Sequence, residues 1–334
     1  MKHLFTRAIL AATLVFACAA AHAADRYVLA SPSTFSPDNI PLFSAQARGS
    51  FAKAGLDVEF EPTNDMLLVT QKLNSGALDA HAYPAPAFQA NKNIPAESCA
   101  TMIVPLAWKF YGAIIATVPT WKELVGGTVI HNGPGNFTSH GLVSFLVKEG
   151  VPANSYKTVE VGGFTLPRLR AMLKTQGPAV VPAFDPLYEY ISRAEGVYTL
   201  APAGTYPLVN AGVMVRCKDL QDPAKAAIHA RFARVVADEI RWMLDAPKSD
   251  PVLIPWARAY LDKAKYEEKY GTTFEGLPVK KVDGDPAERL IQRARKNLDS
   301  KPPSKELMEH TIKVLFGHVP TDFSKYYHFD WMSQ

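Results

Sequence analysis

Cysteine is scarce in this sequence, with three among 334 residues. Cys18 falls in the N-terminal apolar run, which leaves Cys99 and Cys217 for the rest of the chain. Neither has a neighbour that would mark it as a nucleophile, and no cysteine pair stands at zinc-ligand spacing. The nine histidines include no H-E-x-x-H. His131 and His140 flank a glycine-containing loop, and His310 and His318 sit around a helix end, but neither pair is a ligand pattern. There is no G-x-S-x-G elbow and no Walker loop. Gly133-Pro134-Gly135 lacks the Lys-Ser/Thr that completes a phosphate loop. Acidic pairs such as Glu267-Glu268 lie in charged helical stretches. The sequence therefore offers no catalytic constellation, and neither a metal nor a cofactor is expected. Charge of one sign is also lacking: 36 Lys and Arg against 32 Asp and Glu give no reason to expect a nucleic-acid partner. Beyond the N-terminus no apolar run is long enough to span a bilayer.

What is present begins with a leader. Lys2 and Arg7 precede the apolar run Ala8–Ala21, and Ala21-His22-Ala23 is an A-x-A site, so a secretion signal cleaved after Ala23 is expected. Lipid attachment at Cys18 fits less well, because Phe16 is out of place upstream of a lipoprotein cysteine. The remaining length suffices for two domains, and 48% hydrophobic with 20% charged residues describes a folded chain. In an oxidising compartment Cys99 and Cys217 are either two buried thiols or a bridge. Both readings stay open.

The most organised stretch is Pro41–Glu61. Phe43, Ala47 and Phe51 recur at helical spacing, Gly55 ends the helix, and Leu56, Val58 and Phe60 then alternate with acids as in a strand with one wet face. A second helix over Asp65–Leu73 ends near Gly76 and leads to a strand at Leu78–Ala82. Further along, a helix over Pro167–Lys174, then Gly177 and a strand over Ala179–Ala183 repeat that order, which suggests two halves built alike. Long helices are expected over Pro223–Leu244 and Pro251–Lys265, and the aromatic segment Tyr326–Trp331 is expected to dock the tail.

The Pro41–Glu61 text and Gln71–Ala80 resemble the solute-binding proteins of ABC importers for sulfonates, taurine, nitrate and thiamine precursors (the NMT1/THI5-like group). The resemblance implies an α/β architecture, the two-lobed type II periplasmic binding protein fold, with each lobe a small α/β sandwich and a cleft between. It places a first lobe over residues 24–110, a second over 111–211, and a return to the first over 212–334, with both cysteines in the first lobe. It implies a periplasmic binding component rather than an enzyme. That component captures a small organic anion or heteroaromatic compound and docks as a monomer on a membrane permease. Two alternatives share the fold: a thiamine-pyrimidine synthase, which needs a reactive His and Lys and a Cys-rich stretch, and a periplasmic ligand sensor. One departure from the family stands out. Its second acidic step reads Gly177-Pro178-Ala179-Val180 here, whereas Gly76-Ala77-Leu78-Asp79 keeps the Asp.

Candidate ligand contacts lie in loops that follow strands, where α/β folds bind. Phe35, Asp38 and Asn39 fall in the first such loop, although Asp and Asn there also serve as helix caps. Asn64 opens the second helix. Tyr83 and Phe184 hold matching strand-to-helix positions in the two halves, with Asp185 adjacent, and Trp108 is a further aromatic; each could equally be core. Gly163 ends another strand. The loop with Gly135, Asn136, Thr138 and Ser139 runs straight into a helix, whose start exposes N–H groups able to hold an anion.

Overall fold

The computed structural model describes residues 24–31, 37–62, 66–83, 99–131, 137–161, 165–185, 187–192, 194–263, 284–316, 319 and 321–332. The chain opens with β1 (Asp25–Ser31), a 3-10 turn at Pro37–Asn39, α1 (Ile40–Ala47), α2 (Ser50–Lys53) and β2 (Leu56–Pro62). The expected single helix is thus two pieces. Gly49 lies at φ 66°, a left-handed geometry that stops α1 at Arg48. Arg48 then donates to Glu239 at 2.9 Å, which fixes the break. In β2, Leu56 and Val58 are buried while Asp57 and Glu59 are exposed, as the alternation predicts.

Next come α3 (Met66–Ser75), β3 (Ala80–Tyr83) and β4 (Ala100–Lys109). After residues 110–112 follow β5 (Ala113–Ala116), β6 (Thr128–His131), α4 (Phe137–Lys148), β7 (Lys157–Glu160), α5 (Thr165–Lys174), β8 (Ala179–Ala183), α6 (Leu187–Ile191) and β9 (Tyr198–Ala201). After residues 202–206 comes β10 (Pro207–Arg216). Gly76 and Gly177 close the matched helices α3 and α5 at φ 85° and 96°.

Two five-stranded sheets result, ordered β2-β1-β3-β10-β4 and β7-β6-β8-β5-β9. In the first, β1 is parallel to β2 and β3, and β10 is antiparallel to β3 and β4. In the second, β6 is parallel to β7 and β8, and β5 is antiparallel to β8 and β9. Order and direction match strand for strand. The antiparallel inner strand of each sheet is the one the chain forms immediately after changing sheets.

The helices α7 (Pro223–Leu244), α8 (Ala246–Lys263), α9 (Pro286–Lys296) and α10 (Lys305–Phe316) complete the fold. Asp222 and Asp285 cap α7 and α9 by accepting from Ala224 N at 3.0 Å and Ala287 N at 2.9 Å. The expected helix start at Pro251 is wrong: α8 begins at Ala246 and carries Pro251 and Pro255 inside it. Side chains hold its first turns. Ser249 Oγ donates to Met243 O at 3.0 Å, and Arg295 donates to Ser249 Oγ at 2.7 Å.

Strand β4 ends its sheet yet is buried along almost its whole length. The tail covers that edge: His328 N donates to Met102 O at 2.7 Å, and Tyr327 stacks on buried Phe329. The aromatic segment therefore docks where a sheet edge would otherwise stand open. Cys99, just before β4, and Cys217, just after β10, form a disulfide with Cα atoms 5.4 Å apart, which decides between the two readings left open above.

Candidate functional site

Strand register fixes where a site can form. Gly212 of β10 faces Tyr83 at the carboxyl end of β3, and Pro207 faces Lys109 at the end of β4. Across the junction, Ala113 of β5 faces Ala183 at the carboxyl end of β8. Both passages between sheets therefore lie where the parallel strands of both sheets end, the position at which α/β sheets bind ligands. The passages run side by side: Phe110 N donates to Tyr206 O at 2.8 Å, and Gly204 N donates to Phe110 O at 2.9 Å. A surface hollow lined by Cys99, Thr101, Cys217, Tyr327 and His328 sits at the opposite end of the first sheet, beside the disulfide.

Aromatic rings fill the junction. Phe184 packs 5.9 Å from Phe110 and 5.0 Å from Tyr111, centroid to centroid. Gly112 permits this approach, since a Cβ there would lie 2.5 Å from the Phe184 ring. Phe184 thus belongs to a packed cluster at the point where the chain changes sheets. Trp108 has a different engagement. Its Nε1 donates to Lys301 O at 3.0 Å, so the indole is tied to the segment after α9.

Asp185 is held by Arg293, which donates from Nε and Nη2 to the two carboxylate oxygens at 2.8 Å each. Arg293 Nη2 also reaches Glu189 at 2.7 Å, and Arg289 donates to the other oxygen of Glu189 at 2.5 Å. Both acids are buried. Burial alone would lower the pKa of Arg293, but the two carboxylates outweigh it and hold it above its ordinary range. Helix α9 also packs on the Pro37–Asn39 turn after β1. The Asp185–Arg293 pair therefore joins the second sheet's loop to the helices of the first.

Asp38 and Asn39 are buried in that turn. Asp38 reaches Tyr111 electrostatically, and Arg168 does so with the opposite sign. Burial first, then Asp38, push the Tyr111 hydroxyl well above its ordinary value. Arg168 sits in the first turn of α5 and is 1% exposed. Its Nε and Nη1 have no hydrogen-bond partner among the described residues. Burial lowers its pKa to about 10, so it stays charged at neutral pH. His131, at the end of β6, feels Arg168 as well; burial lowers its pKa, with Arg168 adding and Glu160 opposing.

The structure thus gathers Asp38, Asn39, Phe184 and Asp185 around the junction. It puts the end of β3 at Tyr83 and the start of α4, with Thr138 and Ser139, on the same side of the sheets. Phe35, Asn64, Gly135, Asn136 and Gly163 lie outside the described residues, as do the side-chain positions of Tyr83, Thr138 and Ser139. Sequence reasoning missed Arg168, Tyr111 and Arg293. The signal for Arg168 was readable. Leu169 and Met172 mark the buried face of α5, and Arg168 adjoins one and lies a turn before the other. Among the described residues no group of His, Cys, Asp and Glu could hold a metal ion, and no helix is long and apolar enough to cross a membrane.

A sequence model of the family described as "NMT1/THI5 like" matches residues 36–222, more than half of the chain and the part that contains both passages. The chain belongs to this NMT1/THI5-like family. Among curated proteins none matches it in sequence. Solved structures share its fold at low identity. The periplasmic aliphatic sulphonate binding protein SsuA of Escherichia coli is 14% identical, with 88% of this chain and 87% of that one covered and a TM-score of 0.59. SsuA of Xanthomonas axonopodis pv. citri, bound to MOPS, is 13% identical over 87% of this chain and 91% of that one, with a TM-score of 0.55. A zinc-bound ligand-binding component of an ABC-type import system from Staphylococcus aureus is 13% identical over 93% of this chain and 98% of that one, with a TM-score of 0.60. These likenesses establish the two-lobed binding-protein fold for this member of the NMT1/THI5-like family.

Proposed function

We propose that this protein is the solute-binding component of an ABC-type importer. It holds a small molecule where its two sheets meet and releases it unaltered to a membrane permease. The observation that carries this reading is the register. Two sheets of one topology present the carboxyl ends of their parallel strands to a shared junction. The leader over residues 1–23 and the disulfide both suit a periplasmic protein. Family membership and the folds of the sulfonate-binding relatives support the same role. The ligand favours closure of the halves only to the extent that it binds the closed form more tightly. Backbone N–H groups at the start of α4 would supply polar contacts, and the junction aromatics an apolar lining.

A thermal-shift screen against sulfonates, nitrate, aromatic carboxylates and pyrimidines tests the proposal. A ligand at one hundred times its Kd stabilises the fold by about 2.7 kcal/mol, which moves the melting point by several degrees. Proton NMR of the hit should show it unchanged after long incubation. A hit that is converted to product refutes the reading.

A further inference from the structure

Arg168 is a charged side chain placed against three physical preferences. It is 1% exposed, where an arginine without a carboxylate is costly. Two of its nitrogens have no acceptor among the described residues. It also stands in the first turn of α5, where the helix already presents partial positive charge and a cation is disfavoured. No packing role explains these together, because a leucine or methionine would fill the same place on the α5 stripe without penalty. What resolves all three is an anion that arrives from outside the chain. The helix start and the guanidinium would then act on it in concert.

We propose that Arg168 anchors the head group of a small organic monoanion, a carboxylate or sulfonate, whose apolar body lies toward the Tyr111–Phe184 pair. The inference rests on the reading of the junction as a capture site and names its ligand class. A single negative charge fits best. Asp38 acts electrostatically on Tyr111, and Glu160 acts on His131 at the end of the neighbouring strand, so a second negative charge on the ligand would add to acids already in this neighbourhood. Tyr111, which Arg168 reaches electrostatically, pairs with Phe184 at a centroid distance of 5.0 Å, and both rings are buried, an apolar setting for the ligand body.

The test uses Arg168→Met. In the ligand-free state the variant should melt above the wild type by about 2–4 °C, since an unpaired buried charge is replaced by an apolar chain of similar length. Benzoate and benzenesulfonate are then compared with benzamide and benzenesulfonamide by thermal shift and calorimetry. The acids should stabilise the wild type, and Arg168→Met should weaken them by about 30-fold or more. Arg168→Lys should restore part of the loss, as a point charge without the planar fork. A variant that melts below the wild type shows a structural arginine and overturns the proposal, whatever the compounds do. A neutral amide that shifts wild type and variant alike overturns the anion while leaving capture intact. Chemical alteration of any compound defeats capture instead.

Discussion

His81 shows how one side chain sets a pH limit. It lies buried in β3, and burial lowers its pKa to about 4 from an ordinary 6.5. Between those values the unfolded chain takes up a proton that the folded chain refuses, so stability falls as pH drops from 6.5 to 4 and then levels off for this group. The loss from His81 amounts to about 3 kcal/mol. Urea midpoints of wild type and His81→Gln, compared at pH 4.5 and 7, should show a markedly flatter dependence in the variant. Parallel curves would assign the acid sensitivity to carboxylates instead. At this scale the sequence is least legible. Asp185 read as a ligand contact, but its partner Arg293 is far away in the chain, and no local pattern links them. Arg168 went unnoticed: its place against the apolar face of α5 was readable, but its want of an acceptor among the described residues exists only in three dimensions.

At the level of elements the reading was better, because glycines and alternation act locally. Gly55, Gly76 and Gly177 each adopt positive φ at the helix ends where they were expected. The failures were tertiary. Gly49 divided a helix whose apolar spacing looked continuous, and Ser249 with Arg295 extended α8 past prolines that should have opened it. The Cys99–Cys217 bridge joins elements that the sequence could only offer as a pair of candidates. It closes a loop with a sequence separation of 118. By the chain-entropy account a loop of that order contributes roughly 4–5 kcal/mol. Cys99→Ser with Cys217→Ser should therefore lower the denaturation midpoint substantially, and peptide mapping of the unreduced protein should recover the two segments cross-linked. Recovery of free thiols at both positions would remove the bridge from the fold.

Across the molecule the two halves share strand order and direction, which the repeated helix–glycine–strand pattern had foreshadowed. How they are fastened was not foreshadowed. The Arg293–Asp185–Glu189 contact, assisted by Arg289, ties α9 of one half to Asp185 after β8 and Glu189 on α6 of the other through buried charges. Removing one member of a buried pair strands the rest, at about 3–5 kcal/mol. Arg293→Ala should accordingly unfold at lower denaturant and, in small-angle scattering without ligand, show a larger radius of gyration. Arg293→Ala combined with Asp185→Ala should recover part of the stability. An unchanged radius would mean that the contact stabilises the halves without holding them together.

The two passages at residues 110–112 and 202–206 are bonded to each other, Phe110 to Tyr206 and Gly204 to Phe110. A pair of strings laced together in this way behaves like the pin of a door and not like a ball in a socket. On the proposed capture, one half would swing about that line and not swivel across it, and every solute would then meet the same two jambs in the same alignment.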